Sequence, residues 1–270
     1  MFDPFNDFST AGYLRNKQKE QDSRIVKNVE HEAFLRNLPT AIEYLSKRKR
    51  INYEDFLEVH RIIFSEFYPW VGQDRILTAP NLLISKGIVQ FCPAYEIRLA
   101  INEGLRLAQE KKKMPENPGQ IMGFFAHAHP FLDGNGRTIL LIHLELAYRA
   151  GISISWTDTN KNDYLNALTH ELVSPKDGVL DAYLLKFTGH QLQRNEWKNS
   201  IISIKGLNGL DEDNKVEGDL TDEVVAEKYR KFEEQRGYAY KTQDDLGLCE
   251  KCGAVPCICG SGSGSKLRVP

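Results

Sequence analysis

The 270-residue sequence contains no long apolar run. Its most apolar stretch, Ile139 to Ala150, is broken by His143, Glu145 and Arg149 and is too short to span a bilayer. There is no surplus of either charge: 35 Lys and Arg stand against 37 Asp and Glu, a net of −2. This excludes a dedicated nucleic-acid coat or a polybasic membrane binder, so neither nucleic acid nor membrane is an expected partner. The start, MFDPFNDFST, has acids and Pro where a secretory leader has a basic patch and an apolar run. A cytoplasmic location is therefore expected, with signal-less secretion as an effector also compatible. Cysteine is scarce and odd in number: Cys92 stands alone, and the other four crowd into eleven residues near the C-terminus. That argues against a disulfide framework. No internal repeat is evident.

What is present is material for a helical core. Apolar residues make up 41% of the chain, and their spacing is mostly three and four. Asn28 to Ser46 reads as helix, with Pro39 as a break or a start within it. Asn52 opens another helix, which Phe67 to Gly72 ends. Ala94 to Lys113, Gly119 to His129, Asn162 to Val173 and Leu180 to Leu192 follow the same period. Arg137 to Ala150 is apolar nearly all round, the mark of a buried central helix. The convincing strand signal is Leu82-Leu83-Ile84 and Ile88-Val89 around the turn Ser85-Lys86-Gly87. The expected fold is all-α with one β-hairpin at about 82–91. The expected organisation is a domain over 1–192, a helical extension over 193–248 and a Cys-rich flexible tail over 249–270.

The chemistry concentrates in His129-Pro130-Phe131-Leu132-Asp133-Gly134-Asn135-Gly136-Arg137-Thr138. Two glycines flanking Asn135 allow successive backbone N–H groups to point one way, an anion nest that opens the following helix. Arg137 supplies a planar fork for phosphate oxygens. Asp133 is a hard oxygen ligand suited to Mg²⁺. His129 is a candidate general base, expected to titrate near working pH. A polyphosphate, a metal and a base thus converge on one loop.

This segment resembles the signature of the Fic (filamentation induced by cAMP) family, His-x-Phe-x-(Asp/Glu)-Gly-Asn-Gly-Arg-x-x-Arg, at every defined position from His129 to Arg137. Tyr68-Pro69-Trp70-Val71-Gly72-Gln73-Asp74-Arg75 and Gly12-Tyr13-Leu14-Arg15-Asn16 resemble its flanking segments, so the likeness covers about 12–190. It implies a helical domain that transfers AMP from ATP to a Ser, Thr or Tyr hydroxyl of a target protein. His129 would deprotonate the acceptor, and Asp133 would hold Mg²⁺. Gly134, Asn135, Gly136 and Arg137 would bind the α- and β-phosphates. The hairpin, with Ile84, Ser85, Lys86 and Gly87, would be a flap that pairs with the target's backbone like an added strand. Tyr164 would stack on the nucleotide base.

One position departs from the signature: its last Arg falls at Leu140. In autoinhibited members that Arg meets a Glu from a (Ser/Thr)-x-x-x-Glu-(Gly/Asn) helix. Ser23-Arg24-Ile25-Val26-Lys27-Asn28 has Lys at that place, so no inhibitory Glu is expected. Leu140 leaves open the transfer of phosphate or of another nucleoside monophosphate. A non-catalytic Fic-like binding protein is a further alternative, against which His129 and Asp133 weigh, since binding alone needs neither.

His127 and His129 as a metal pair are set aside, because i and i+2 side chains diverge on a helix. His143 is expected in the core, and Cys92 as an inert small apolar residue. In the tail, Cys249, Cys252, Cys257 and Cys259 either hold Zn²⁺ or form an unstructured thiol-rich end.

Overall fold

The structure is a computed structural model that describes residues 2–110, 112–209, 214–238 and 240. The four tail cysteines of the expected zinc site lie outside the described residues. Before the hairpin come four helices: α1 (Phe8–Ala11), α2 (Ser23–Lys47), α3 (Tyr53–Phe64) and α4 (Arg75–Thr78). The hairpin is β1 (Leu82–Lys86) and β2 (Val89–Gln90). Next are α5 (Ile97–Ala108), α6 (Lys113–Glu116), α7 (Pro118–Ala128) and α8 (Asn135–Arg149). Then follow β3 (Ile152–Ile154), α9 (Lys161–Val173), α10 (Val179–Leu184) and β4 (Thr188–His190). The chain continues through α11 (Arg194–Ile202), β5 (Lys215–Asp219) and α12 (Glu223–Arg236).

Local chemistry accounts for the helix starts. Asn52 and Asp55 form a reciprocal capping box at α3, and Asp22 accepts the Arg24 N–H at the start of α2. From α3, Phe56, Val59, Ile63 and Phe64 enter the core. Ile139 to Ile142 of α8 are all buried, so this helix lies inside the bundle. Pro39 does not break α2, which runs through it as one helix. Pro removes one backbone donor, but Phe34, Leu38, Ala41 and Leu45 bury a face that spans it.

The expected helical architecture with its hairpin is present, and the structure adds short strands beyond the hairpin. β3 and β4 pair antiparallel, Ile152 opposite His190 and Ile154 opposite Thr188. β5 pairs antiparallel with β1, giving the order β2-β1-β5. Lys215 to Asp219 (KVEGD) carries too few apolar residues to read as a strand; pairing with β1, a tertiary contact, makes it one. The described helices after residue 192 pack on the rest. Trp197 and Ile201 of α11 join the main core, while Tyr229 and Phe232 of α12 close over Leu83 of β1.

Candidate functional site

The loop between α7 and α8 is held in place by buried polar groups from the segment that ends in Arg75. The Arg75 guanidinium is wholly buried and donates to three carbonyls: His129 O at 2.7 Å, Cys92 O at 2.7 Å and Ala128 O at 3.2 Å. Its backbone N–H donates to Pro130 O at 2.7 Å. One side chain thus satisfies orphan carbonyls at the end of α7 and ties them to the strand leaving the flap. His60 of α3 supports the other side. Its ring stacks on Phe131 with centroids 3.8 Å apart, and its Nδ1 accepts the Gly72 N–H at 3.0 Å. Nε2 therefore carries the proton and donates to Asp133 O at 3.2 Å. Burial, the largest influence, pushes the His60 pKa down to about 3, so the ring is neutral at physiological pH.

His129 caps α7 in the left-handed region, φ 40°, an uncommon conformation for a non-glycine residue and one associated with functional sites. Its ring stacks on Phe91, centroids 3.6 Å apart, just beyond the flap. Asn135 settles its tautomer. Asn135 Oδ1 accepts the Phe131 N–H at 2.8 Å, so Nδ2 is the donor facing His129 Nε2 at 3.1 Å. The lone pair of His129 is therefore on Nε2, directed into the site. The expectation of a pKa near working pH needs correcting. Burial first, then the charges of Arg75 and Lys86, hold it well below the usual imidazole value. The ring is neutral and ready to accept a proton.

At the start of α8 Gly136 is exposed, while Gly134, Asn135 and Arg137 are buried. Gly134 has φ 75° and is its N-cap, with no side-chain cap. A Cβ on Gly134 would lie 2.3 Å from the Phe64 ring, so both conformation and space demand glycine. A Cβ on Gly136 would meet nothing within 4 Å: open space lies beside this turn. Arg137 Nη1 is buried and has no hydrogen-bond partner. An uncapped N-terminus, open space beside it and an unpartnered guanidinium nitrogen together suit a phosphate.

The charges around this cradle come from α2, which the sequence reading did not connect to the site. Glu30 is fully buried; it pairs with Arg137 and accepts the Tyr68 hydroxyl at 3.0 Å. Lys27 pairs with Asp133 and lies 3.7 Å from Glu30. Glu30 thus partners Arg137, the arginine the signature retains; position 140, where its last Arg would stand, is Leu. Glu30 lies about one turn past Lys27, on the same face of α2. Burial raises the Glu30 pKa against the pull of Arg137. Asp133 is held below the ordinary carboxylate range: burial opposes this, but Lys27 and Arg137 outweigh it.

A metal is not prefigured by a cluster of ligands. Among the described residues, no three His, Cys, Asp or Glu side chains converge as one. Asp133 Oδ1 accepts the Gly134 N–H at 2.6 Å, and Oδ2 faces Lys27. One carboxylate fits Mg²⁺ when phosphates supply other oxygens, provided Lys27 yields Oδ2. His127 faces away from His129, toward Tyr240 and Phe232, and His143 Nε2 bonds Pro118 O at 2.8 Å inside the core. Tyr164 meets Trp156 edge-on, with centroids 5.3 Å apart, and packs beside Tyr183.

Of the flap residues Ile84, Ser85, Lys86 and Gly87, Ile84 O accepts at 3.0 Å the N–H of Phe91, whose ring stacks on His129, and the charge of Lys86 reaches His129. The outer edge of β1, expected to be open to a target, is already paired. Ser85 lies opposite Lys215, Ile84 opposite Val216, Leu83 opposite Gly218 and Leu82 opposite Asp219. Asn214, just before β5, places Nδ2 3.0 Å from His129 Nε2.

Residues 50–147 match the Fic/DOC family. Protein adenylyltransferase VbhT of Bartonella schoenbuchensis is 25% identical over 170 residues, 61% of this chain and 35% of the relative. The "Probable protein adenylyltransferase y4lH" of Sinorhizobium fredii is 27% identical over 127 residues, 44% of this chain and 64% of the relative. The chain thus spans about a third of the first relative and under two thirds of the second. Among solved structures, BepC, a VirB-translocated effector of Bartonella tribocorum with bound AMPPNP, shares the fold. Its TM-score is 0.57 at 17% identity, over 68% of this chain and 95% of that one. So does the N-terminal Fic domain of a VirB-translocated Bep effector of Bartonella quintana with bound ADP, at TM-score 0.59 and 18% identity, over 70% of this chain and 96% of that one. No described helix is long and apolar enough to cross a membrane. The loop from His129 to Thr138 lies inside the segment that matches the Fic/DOC family.

Proposed function

We propose that the protein is a Mg²⁺-dependent protein adenylyltransferase, moving AMP from ATP to a Ser, Thr or Tyr hydroxyl of a target protein. The observation that carries this reading is the Nε2 lone pair of His129, oriented by Asn135 beside an uncapped α8 N-terminus. The naming of VbhT as a protein adenylyltransferase and the nucleotides bound in the two Bartonella structures support it.

The acceptor hydroxyl donates to His129 Nε2 and loses its proton there as its oxygen bonds to Pα. The bond from Pα to the bridging oxygen breaks, and pyrophosphate leaves. Backbone N–H groups at Asn135 and Gly136, with that of Gly134 once Asp133 Oδ1 releases it, and the Arg137 fork hold the phosphates and their growing charge. Asp133 would hold Mg²⁺, which supplies charge neutralisation at the phosphate oxygens. Tyr164 is assigned to the nucleotide base, and Ile84 to Gly87 to the target's backbone.

Leu140 favours one second reading, transfer of phosphate or of another nucleoside monophosphate. It is buried and apolar where the signature's second Arg, a further phosphate contact, would stand. ATP labelled at the α- or the γ-phosphate, with and without Mg²⁺, separates the two. Transfer of α label alone supports adenylylation; transfer of γ label overturns it.

A further inference from the structure

The neighbourhood of His129 is occupied by the chain itself. Asn214 Nδ2 stands 3.0 Å from His129 Nε2 and 3.4 Å from Leu132 O. Because the Nε2 lone pair faces it, Asn214 donates where an acceptor hydroxyl would have to donate. The residues that follow Asn214 form β5, antiparallel on the free edge of the flap, with Ser85 opposite Lys215 and Ile84 opposite Val216. A hydrogen-bond donor at the base, on a strand that augments the flap, is the arrangement a bound target segment would have.

The strand is held by more than its ladder. Glu217 pairs with both Ser85 Oγ and Lys228 of α12, and Leu220 N–H donates to Asn81 O at 2.7 Å. α12 then packs Tyr229 and Phe232 over Leu83, and Arg236 Nε donates to Leu172 O at 3.1 Å. Upstream, Gly209 lies at the phosphate end. A Cβ built there would stand 3.8 Å from Arg137 Nη2 and 3.5 Å from Lys27 Cδ. Residues on either side of the interval 210–213 therefore border the two halves of the site, one at the phosphate cradle and one at the base.

We propose that Asn214 and β5 are an intramolecular pseudosubstrate: they occupy the seat of the target's hydroxyl-bearing segment, and an amide stands where a modifiable hydroxyl would be. The proposal rests on the nucleotidyltransferase reading and adds to it the shape of the true partner. That partner is an extended segment that displaces β5, pairs antiparallel with β1 and presents a Ser, Thr or Tyr at the position of Asn214. A carboxamide cannot complete the reaction under these conditions, because its nitrogen lone pair is delocalised into the carbonyl.

The test uses the full chain with ATP labelled at the α-phosphate and Mg²⁺, followed by peptide mapping. Asn214→Ser and Asn214→Thr place a hydroxyl in the seat. Oγ of residue 214 bonds to Pα, its proton passes to His129 Nε2, and pyrophosphate leaves. Label at residue 214, accumulating at a rate independent of protein concentration, is the expected result. Leu220→Pro removes the N–H that donates to Asn81 O and anchors the end of β5, without touching the catalytic loop. It should raise labelling of other hydroxyls on the chain by roughly tenfold or more, as the open state gains population. Label elsewhere but never at residue 214, with Leu220→Pro matching the parent, overturns the pseudosubstrate and leaves the transferase reading standing. No α label on any chain overturns both.

Discussion

Glu30 of α2 and Arg137 of α8 form a buried ion pair, 107 residues apart in sequence. The pair joins the helix that precedes the family-matched segment to the loop that carries the chemistry. It commits one terminal nitrogen of the Arg137 fork and leaves the other, Nη1, buried without a hydrogen-bond partner. Lys27 and Asp133 make a second pair on the same side, so α2 closes the charge balance of the loop before any nucleotide arrives.

Removing Glu30 should therefore expose a buried, uncompensated guanidinium. Glu30→Ala is expected to cost about 3–5 kcal/mol, the usual penalty for breaking a buried pair from one side. An anion can replace the lost carboxylate, so triphosphate should raise the melting temperature of Glu30→Ala more than that of the parent. Equal shifts in both chains would mean that Arg137 does not reach the bound phosphates.

His129→Ala should lower transfer by roughly 10²–10⁴-fold, the range for a general base. Nucleotide binding by calorimetry should change little, because the proposed function assigns the phosphates to α8. The neutral state of His129 also fixes the sign of the pH dependence. With its pKa well below the ordinary imidazole value, the base remains competent as pH falls through 6.5. A rate that halves near pH 6.5 and vanishes with His129→Ala would contradict this environment.

Leu140 lies three positions after Arg137, almost one helical turn. Leu140→Arg should place a second cation near the terminal phosphate and raise the ATP-to-ADP affinity ratio by roughly tenfold, a charge-assisted contact of about 1.4 kcal/mol. Without nucleotide the same variant should melt lower, since Leu140 is now in the core. If it folds normally and the ratio is unchanged, position 140 does not face the terminal phosphate.

The docking of α12 should weaken as pH rises. Glu96 is pushed up to about 7 by burial and then by Glu233; the Tyr229 hydroxyl, donating at 3.1 Å, and Arg236 oppose the shift. A carboxyl whose folded-state pKa is raised contributes stability that is complete below its unfolded value near 4.5 and is lost as pH climbs through 7. Amide protection factors in α12, with the intrinsic pH dependence of exchange divided out, should fall across that window in the parent and stay flat in Glu96→Gln.

The sequence by itself determined the helical class, the hairpin and the loop, because each is written in contiguous residues. Helical periodicity needs only neighbours three and four apart. The hairpin needs a short turn between apolar runs, and the anion nest needs Gly-Asn-Gly before a helix. What the tertiary structure decided depends on residues far apart in the chain. Arg75 and His60 position the loop from outside it, and nothing near them in sequence says which carbonyls they will meet. Glu30 reaches Arg137 because α2 packs across α8, so a search for a fixed local pattern passed over it. His129 is kept neutral by burial and by the charges of Arg75 and Lys86, neither of which its sequence neighbours supply. β5 is the clearest case: KVEGD has no strand pattern of its own, and only the unpaired edge of β1, brought beside it by the fold, makes it a strand and sets Asn214 against His129.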